Sequence, residues 1–182
     1  MIRDLKKDLV RPVTIRPLIA TDGAGSQVRR RLSALGLIEA HEEDLDHGYK
    51  ELSIPACPDG AFALKSDALH IWPRGNYMLI ALPNTDGSFT ATLFLPNDGD
   101  LSFESLNSPQ AVDRFLSDHF ADVRPLMPHC LQEFFDHPTG FLGTVYADSW
   151  HRAGTAALVG DAAHAIVPVS YTHLTLPTIL RV

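Results

Sequence analysis

Two short apolar runs near opposite ends of this 182-residue chain stop in the same way. Leu18-Ile19-Ala20 runs into Thr21-Asp22-Gly23-Ala24-Gly25-Ser26, and Ala156-Ala157-Leu158-Val159 runs into Gly160-Asp161-Ala162-Ala163-His164-Ala165. Each reads as a strand breaking into a glycine turn at the start of a helix. Glycine turns tightly without a Cβ penalty, and aspartate accepts from the free N–H groups of a helix start or from a ligand hydroxyl. Ser26 is the predicted N-cap of a helix over 27–35, which Gly36 ends. Ala162, Ala163 and Ala165 favour helix and leave room for a flat ligand close to the backbone. Taken singly, either turn is equally an ordinary strand end with a capped helix. As a pair they suggest a phosphate-bearing ligand, because glycines and helix N-termini both favour anions. Arg29, one turn into the first helix, offers a fork of donors. The full dinucleotide fingerprint G-x-G-x-x-G is absent from the sequence.

The stretch between the two turns is β-rich. Tyr49 to Ile54, Leu69 to Arg74, Tyr77 to Leu82 and Ser88 to Pro96 read as strands of an antiparallel meander, with Gly75-Asn76 as a hairpin turn and Asn84 to Gly87 as another. Alternation places Met78, Ile80 and Leu82 on one face, which Phe94 joins if the register allows. A helix is predicted over 109–120 with Val112, Phe115, Leu116 and His119 at helical spacing, and Leu131, Phe134 and Phe135 are expected in the core. Residues 143–146 are a further strand and 150–154 a turn. Val13-Thr14-Ile15 is also strand-like, between Pro12 and Pro17. The order implies a ligand-binding domain entered at both ends of the chain and interrupted by a β-sheet domain.

Fifteen Lys+Arg against 22 Asp+Glu leave a net charge of −7, and Arg29-Arg30-Arg31 is too short a basic run to suggest a nucleic-acid partner. No apolar run reaches the about 18 residues of a membrane span, and the charged start lacks a leader's apolar stretch. Cys57 and Cys130 form no C-x-x-C, so neither a disulfide framework nor a zinc ribbon is expected, and a reducing, cytoplasmic setting is. Nine histidines include no H-E-x-x-H, and no metal site is expected. There is no G-x-S-x-G nucleophile elbow.

The order of these parts — an Asp-Gly turn leading into Ser26-Gln27-Val28-Arg29, a β-meander, then Gly160-Asp161-Ala162-Ala163-His164 — resembles the FAD-dependent aromatic hydroxylases. His47-Gly48-Tyr49-Lys50-Glu51-Leu52, Leu69 to Arg74, Met78 to Asn84, Ser88-Phe89-Thr90 and Gly160 to Pro168 resemble the kynurenine-hydroxylating branch of that family. The likeness covers roughly residues 18–168, and His70-Ile71-Trp72-Pro73-Arg74 is its most specific block. Thr21 and Ala20 depart from the family's alanine and glycine, but remain small. The resemblance implies an α/β (α+β) chain: a split, incomplete Rossmann-like FAD-binding domain with an inserted, mostly antiparallel β-sheet substrate domain. Residues 1–46 and 146–168 would belong to the former and 47–145 to the latter. It implies NADPH as reductant, O2 as co-substrate, and kynurenine as the aromatic substrate. Asp161, with Gly160 and Ala162, would hold the ribityl chain of FAD. Asp22, Gly23 and Arg29 would lie towards the pyrophosphate, and Pro168 would begin the loop over the flavin. Leu69, Met78, Ile80, Leu82 and Phe94 would line the substrate pocket, although by pattern alone they are ordinary sheet core. Trp72 and His70 read as packing residues. No catalytic acid/base pair is expected, because the flavin carries the chemistry.

Three readings stay open: a piece of a kynurenine hydroxylase, a piece of a hydroxylase for another aromatic acid, and a non-catalytic binding module. The missing G-x-G-x-x-G favours a piece, which alone is expected to fold poorly and not to retain FAD. Residues 169–182 fit nothing in the family pattern. Codons for Val169 to Thr178 can be read from a transposase-type sequencing adapter, so this tail is expected to be non-native and is set apart from the fold.

Overall fold

The computed structural model describes residues 2–4, 6–11, 17–152 and 154–166. Pro168, the strand-like Val13-Thr14-Ile15 and the tail 169–182 lie outside them. The chain divides into two compact units, residues 1–43 with 143–182, and residues 44–142.

In the first unit, strand β1 (Ile2–Asp4) pairs with β2 (Leu9–Arg11) as a hairpin absent from the sequence reading. Strand β3 (Leu18–Ala20) leads to helix α1 (Gln27–Ala34). Ser26 caps α1 as predicted, its Oγ accepting from Arg29 N at 3.0 Å. Gly36, at φ +65°, takes the left-handed turn that ends the helical segment. Near the other end, β9 (His151–Arg152) and β10 (Ala156–Leu158) complete a three-stranded sheet in the order β3-β10-β9. Ala20, Ile38, Leu158 and Ala163 form its small core, with Val28, Leu32 and Ala40 against it.

The second unit is built on a sheet in which β4 (Ala40–Ile54), β5 (His70–Arg74), β6 (Tyr77–Pro83), β7 (Phe89–Pro96) and β8 (Gly140–Ala147) take the order β5-β6-β7-β4-β8. The chain enters the unit within β4 and leaves it within β8. Arg74 pairs with Tyr77, so Gly75-Asn76 is the two-residue turn predicted, with Gly75 at φ +69°. The pattern located only the C-terminal half of β4. Residues 41–46 are acidic and exposed, so no apolar alternation marks them as strand.

One face of this sheet carries the core. Leu52, Ile54, Leu79, Ala81, Phe89, Ala91, Leu93 and Leu95 point towards helix α2 (Pro109–His119) and helix α3 (Cys130–Asp136), burying against Val112, Leu116, Phe120 and Phe134. Phe134 is buried, but Phe135, expected beside it, is exposed because it follows on the next step of α3.

The His70-to-Arg74 block alternates as a strand must. Its odd partners Ile71 and Pro73 face away from the core, while Trp72 and Arg74 reach the end of α2. Trp72 Nε1 donates to Asp122 Oδ2 at 2.8 Å and Arg74 Nε donates to the His119 carbonyl at 2.7 Å. His119 Nδ1 in turn lies 2.8 Å from the Tyr77 hydroxyl, so Arg74 and Tyr77 grip the last residue of α2 while Trp72 holds Asp122 just beyond it. Cations at that end also complement the helix dipole.

Beside its pairing with β7 and β8, the C-terminal part of β4 is also held by side chains. Glu133 accepts from Ser53 N at 2.8 Å and from the Ser53 hydroxyl, and His137 Nδ1 lies 2.7 Å from the Glu51 carbonyl. Lys50, buried on the core side, donates to the His137 carbonyl at 2.5 Å and sits 4.9 Å from the Phe134 ring centre.

Gly140 lets Tyr49 lie flat on the backbone: a Cβ there would come 2.3 Å from the ring. Gly140→Ala is expected to cost about 1–3 kcal/mol through overpacking, read as a lower urea midpoint. An unchanged midpoint would show that the Tyr49 ring moves freely.

Candidate functional site

The two glycine turns lie far apart in the chain, and the first unit makes them neighbours. β10 runs parallel to β3 with Leu158 opposite Ala20, and Val159 N donates to the Ala20 carbonyl at 2.9 Å. Both strands therefore end at the same edge, where Thr21-Asp22-Gly23 leaves one and Gly160-Asp161 leaves the other. The carboxyl ends of parallel strands are where open α/β sheets bind ligands.

The two aspartates have different hydrogen-bonding surroundings. Asp22 Oδ1 accepts from Ser26 Oγ at 2.6 Å, and Oδ2 accepts from Gln27 N at 2.9 Å and Val28 N at 3.3 Å. The Ser26 hydroxyl, followed by these helix-start amides, holds the Asp22 carboxyl below its usual range. Asp22 is thus the anion that organises the first turn of α1. Asp161 is exposed, and its carboxylate has no hydrogen-bond or ion-pair partner among the described residues.

Asp161 also does not cap a helix. The α-helix expected after it is, over the described residues, a single 3₁₀ turn, Gly160–Ala162, with no side-chain cap. Ala163 N and His164 N both donate to the Gly160 carbonyl, at 2.9 and 3.0 Å. His164 Nδ1 then lies 3.2 Å from the Val145 carbonyl, and Val145 N donates to the Ala165 carbonyl, so β8 draws the segment out of helical geometry. Gly160 has φ +63° and Gly23 φ +78°, and at both a Cβ would meet open space. Their need for glycine is conformational, and it leaves the backbone open to a ligand.

Arg29 is placed differently from the donor fork expected of it. It is 1% exposed, and Nη1 donates to the Ala162 carbonyl at 2.9 Å. Nη2 donates to the Ala24 carbonyl and to Glu42 Oε1, the latter at 2.6 Å. Its guanidinium is engaged inside the chain, tying α1 to the Gly160–Ala162 turn. Ala162 is fully buried and takes part through that carbonyl. Glu42, a partner that sequence reasoning missed, carries no local signal because it lies in the acidic part of β4.

In the second unit the face opposite the core carries Met78, Ile80, Leu82 and Phe94. The register sets Met78 directly opposite Phe94, which resolves the one alternative the pattern left open. Leu69 and Leu82 are 45% and 49% exposed whereas Phe94 is buried at 8%, so the face is apolar and open at its Leu69–Leu82 end. Ile71 pairs with Ile80 and Thr92 with Ile80 from the other side, so both belong to the same surface. Neither was visible before the register was known.

Among the described residues no three His, Cys, Asp or Glu side chains gather as a metal would need, and no helix is long and apolar enough to cross a membrane.

No family model matches the chain. Curated proteins match it closely. It is 47% identical over 165 residues, 91% of its length, to the kynurenine 3-monooxygenase of Stenotrophomonas maltophilia (strain K279a). It is 50% identical over 153 residues to that of Myxococcus xanthus (strain DK1622), and 51% over 151 residues to that of Dictyostelium discoideum. Over this stretch the chain is a homologue of kynurenine 3-monooxygenases. The chain spans about a third of the length of these relatives, 36%, 33% and 33% respectively. Among solved structures, the tetrameric form of 2-methyl-3-hydroxypyridine-5-carboxylic acid oxygenase shares the fold, with a TM-score of 0.60 at 24% identity over 84% of this chain and 39% of that one.

Proposed function

We propose that the chain is the middle portion of a flavin-dependent monooxygenase that uses FAD, NADPH and O2 to hydroxylate kynurenine to 3-hydroxykynurenine. The carrying observation is the parallel β3–β10 pair, which brings Asp22-Gly23 and Gly160-Asp161 to one sheet edge in a stretch of kynurenine 3-monooxygenase sequence.

The donor set suits a flavin dinucleotide. Asp161 is an unpartnered acceptor of the kind that ribityl hydroxyls need, and the left-handed Gly23 and Gly160 leave their backbone approachable. Asp22 fixes the amides of the first α1 turn, and Arg29 holds the Gly160–Ala162 turn to α1. When bound, the flavin supplies the reduction by NADPH and the activation of oxygen. The chain's own part is to bind, orient and keep dry. In the second unit, Leu69, Met78, Ile80, Leu82 and Phe94 would hold an aromatic ring by apolar burial. Pro168, proposed for the loop over the flavin, lies beyond the described residues.

A chimera tests this: residues 18–166 replace the matched stretch of the Myxococcus xanthus relative. It is expected to purify with bound flavin and to form 3-hydroxykynurenine from kynurenine and NADPH. A flavin-loaded chimera that hydroxylates another aromatic acid instead would overturn the substrate. A chimera without flavin, beside a flavin-loaded parent, would overturn the cofactor site. In the chimera, Asp161→Ala should weaken flavin binding about 10- to 100-fold, the loss of charge-assisted hydrogen bonds, measured by flavin fluorescence on dilution.

A further inference from the structure

The open face of the second unit's sheet changes character from one side to the other. Paired residues run Ile71, Ile80, Thr92, Glu51 across β5, β6, β7 and β4. Ile71 is half exposed, and Glu51 is exposed between the buried Lys50 and Leu52, which places its side chain on this same face. Lys50 points the other way, to the His137 carbonyl, so it does not neutralise Glu51. Glu133 is engaged by Ser53, and the His137 ring meets the Glu51 carbonyl rather than its carboxylate. The Thr92 hydroxyl and the Glu51 carboxylate have no hydrogen-bond or ion-pair partner among the described residues.

We infer that Thr92 and Glu51 are the amine-recognising end of the substrate face, and that they select aromatic substrates carrying a side-chain ammonium over aromatic acids that lack one. The inference rests on the proposed function and deepens it. An ionised carboxylate only accepts hydrogen bonds, so at that position it attracts an ammonium and repels a second carboxylate. Directly opposed side chains on neighbouring strands have Cβ atoms about 4.5–5.5 Å apart, close enough for both to accept from one nitrogen. Strands are spaced about 4.8 Å apart. From Ile80 to Glu51 is thus two strand spacings, about the span of an aromatic ring with a short side chain. The ring lies on Ile71 and Ile80, and the ammonium reaches β4.

The test uses the flavin-loaded chimera, titrated with kynurenine and with an analogue lacking only the side-chain ammonium, read through the flavin absorbance. Glu51→Gln should weaken kynurenine binding about tenfold, the worth of a charge-assisted bond, and leave the analogue unchanged or tighter. Thr92→Val, which keeps the β-branched shape, should weaken kynurenine binding to a smaller degree. Equal loss for both ligands, or no loss for either, would overturn the inference. If the unsubstituted chimera does not hydroxylate kynurenine, the proposed function fails. The same titration with an arylalkylamine and its deaminated counterpart still reads whether Glu51 prefers the ammonium.

Discussion

Arg29→Leu is expected to destabilise the first unit by about 3 kcal/mol, because it leaves a buried acceptor unpaired as well as removing a charge-assisted network. Arg29 is 1% exposed and bonds the Ala162 carbonyl, which belongs to a fully buried residue where leucine offers no donor. Arg29→Lys should recover only part of the loss, since one ammonium cannot reproduce a planar fork reaching Ala162, Ala24 and Glu42. Glu42→Gln provides the contrast. Glu42 is 41% exposed, so its pair with Arg29 is screened and worth about 1 kcal/mol or less. The Arg29 hydrogen bond holds the Glu42 carboxyl below its usual range. Its small contribution is therefore present above the unfolded-state value and is lost as pH falls through the lowered folded one. Denaturant unfolding of each variant at neutral pH measures the set. A cost below about 1 kcal/mol for Arg29→Leu would show that the two turns are held by something other than this side chain.

Phe120→Ala should be the costliest substitution in the second unit, at about 3–5 kcal/mol. The ring is fully buried at the C-cap of α2. It stands edge-on to Tyr77 and Phe115, with centroids 6.2 and 5.8 Å away, and Arg74 lies 5.2 Å from its centre. Truncation removes the surface on which the Trp72–Arg74–Tyr77 grip closes, so cavity and lost contacts add. Phe141→Ala removes the same atoms from a side chain that is 87% exposed, and should stay within about 0.5 kcal/mol. Urea midpoints at constant slope compare the two. Similar shifts for both would mean that α2 is not anchored through Phe120.

Features governed by near neighbours in the chain were legible in advance. Ser26 and Gly36 bound α1 because caps and left-handed turns are satisfied within a few residues. Gly75-Asn76 closes its hairpin for the same reason, and Met78, Ile80 and Leu82 share a face because a strand has period two. Residues 41–46 of β4 are strand through pairing alone, with no pattern of their own. The segment after Asp161 reads as helix by propensity, yet its links to Val145 hold it as a 3₁₀ turn over the described residues.

The candidate site divides along the same line. That an aspartate–glycine turn follows each of two strands is plain from composition and spacing. Their meeting at one sheet edge is a product of parallel pairing between segments most of a chain apart, which no local preference encodes. Arg29 reads as a ligand donor until folding buries it against Ala162, because a buried guanidinium must find internal acceptors. Glu51 and Thr92 read as ordinary strand residues until the register sets them beside Ile80 on an uncovered face. Local chemistry chose the turns, the caps and the faces. Long-range pairing and burial chose which of those groups remain free to meet a ligand.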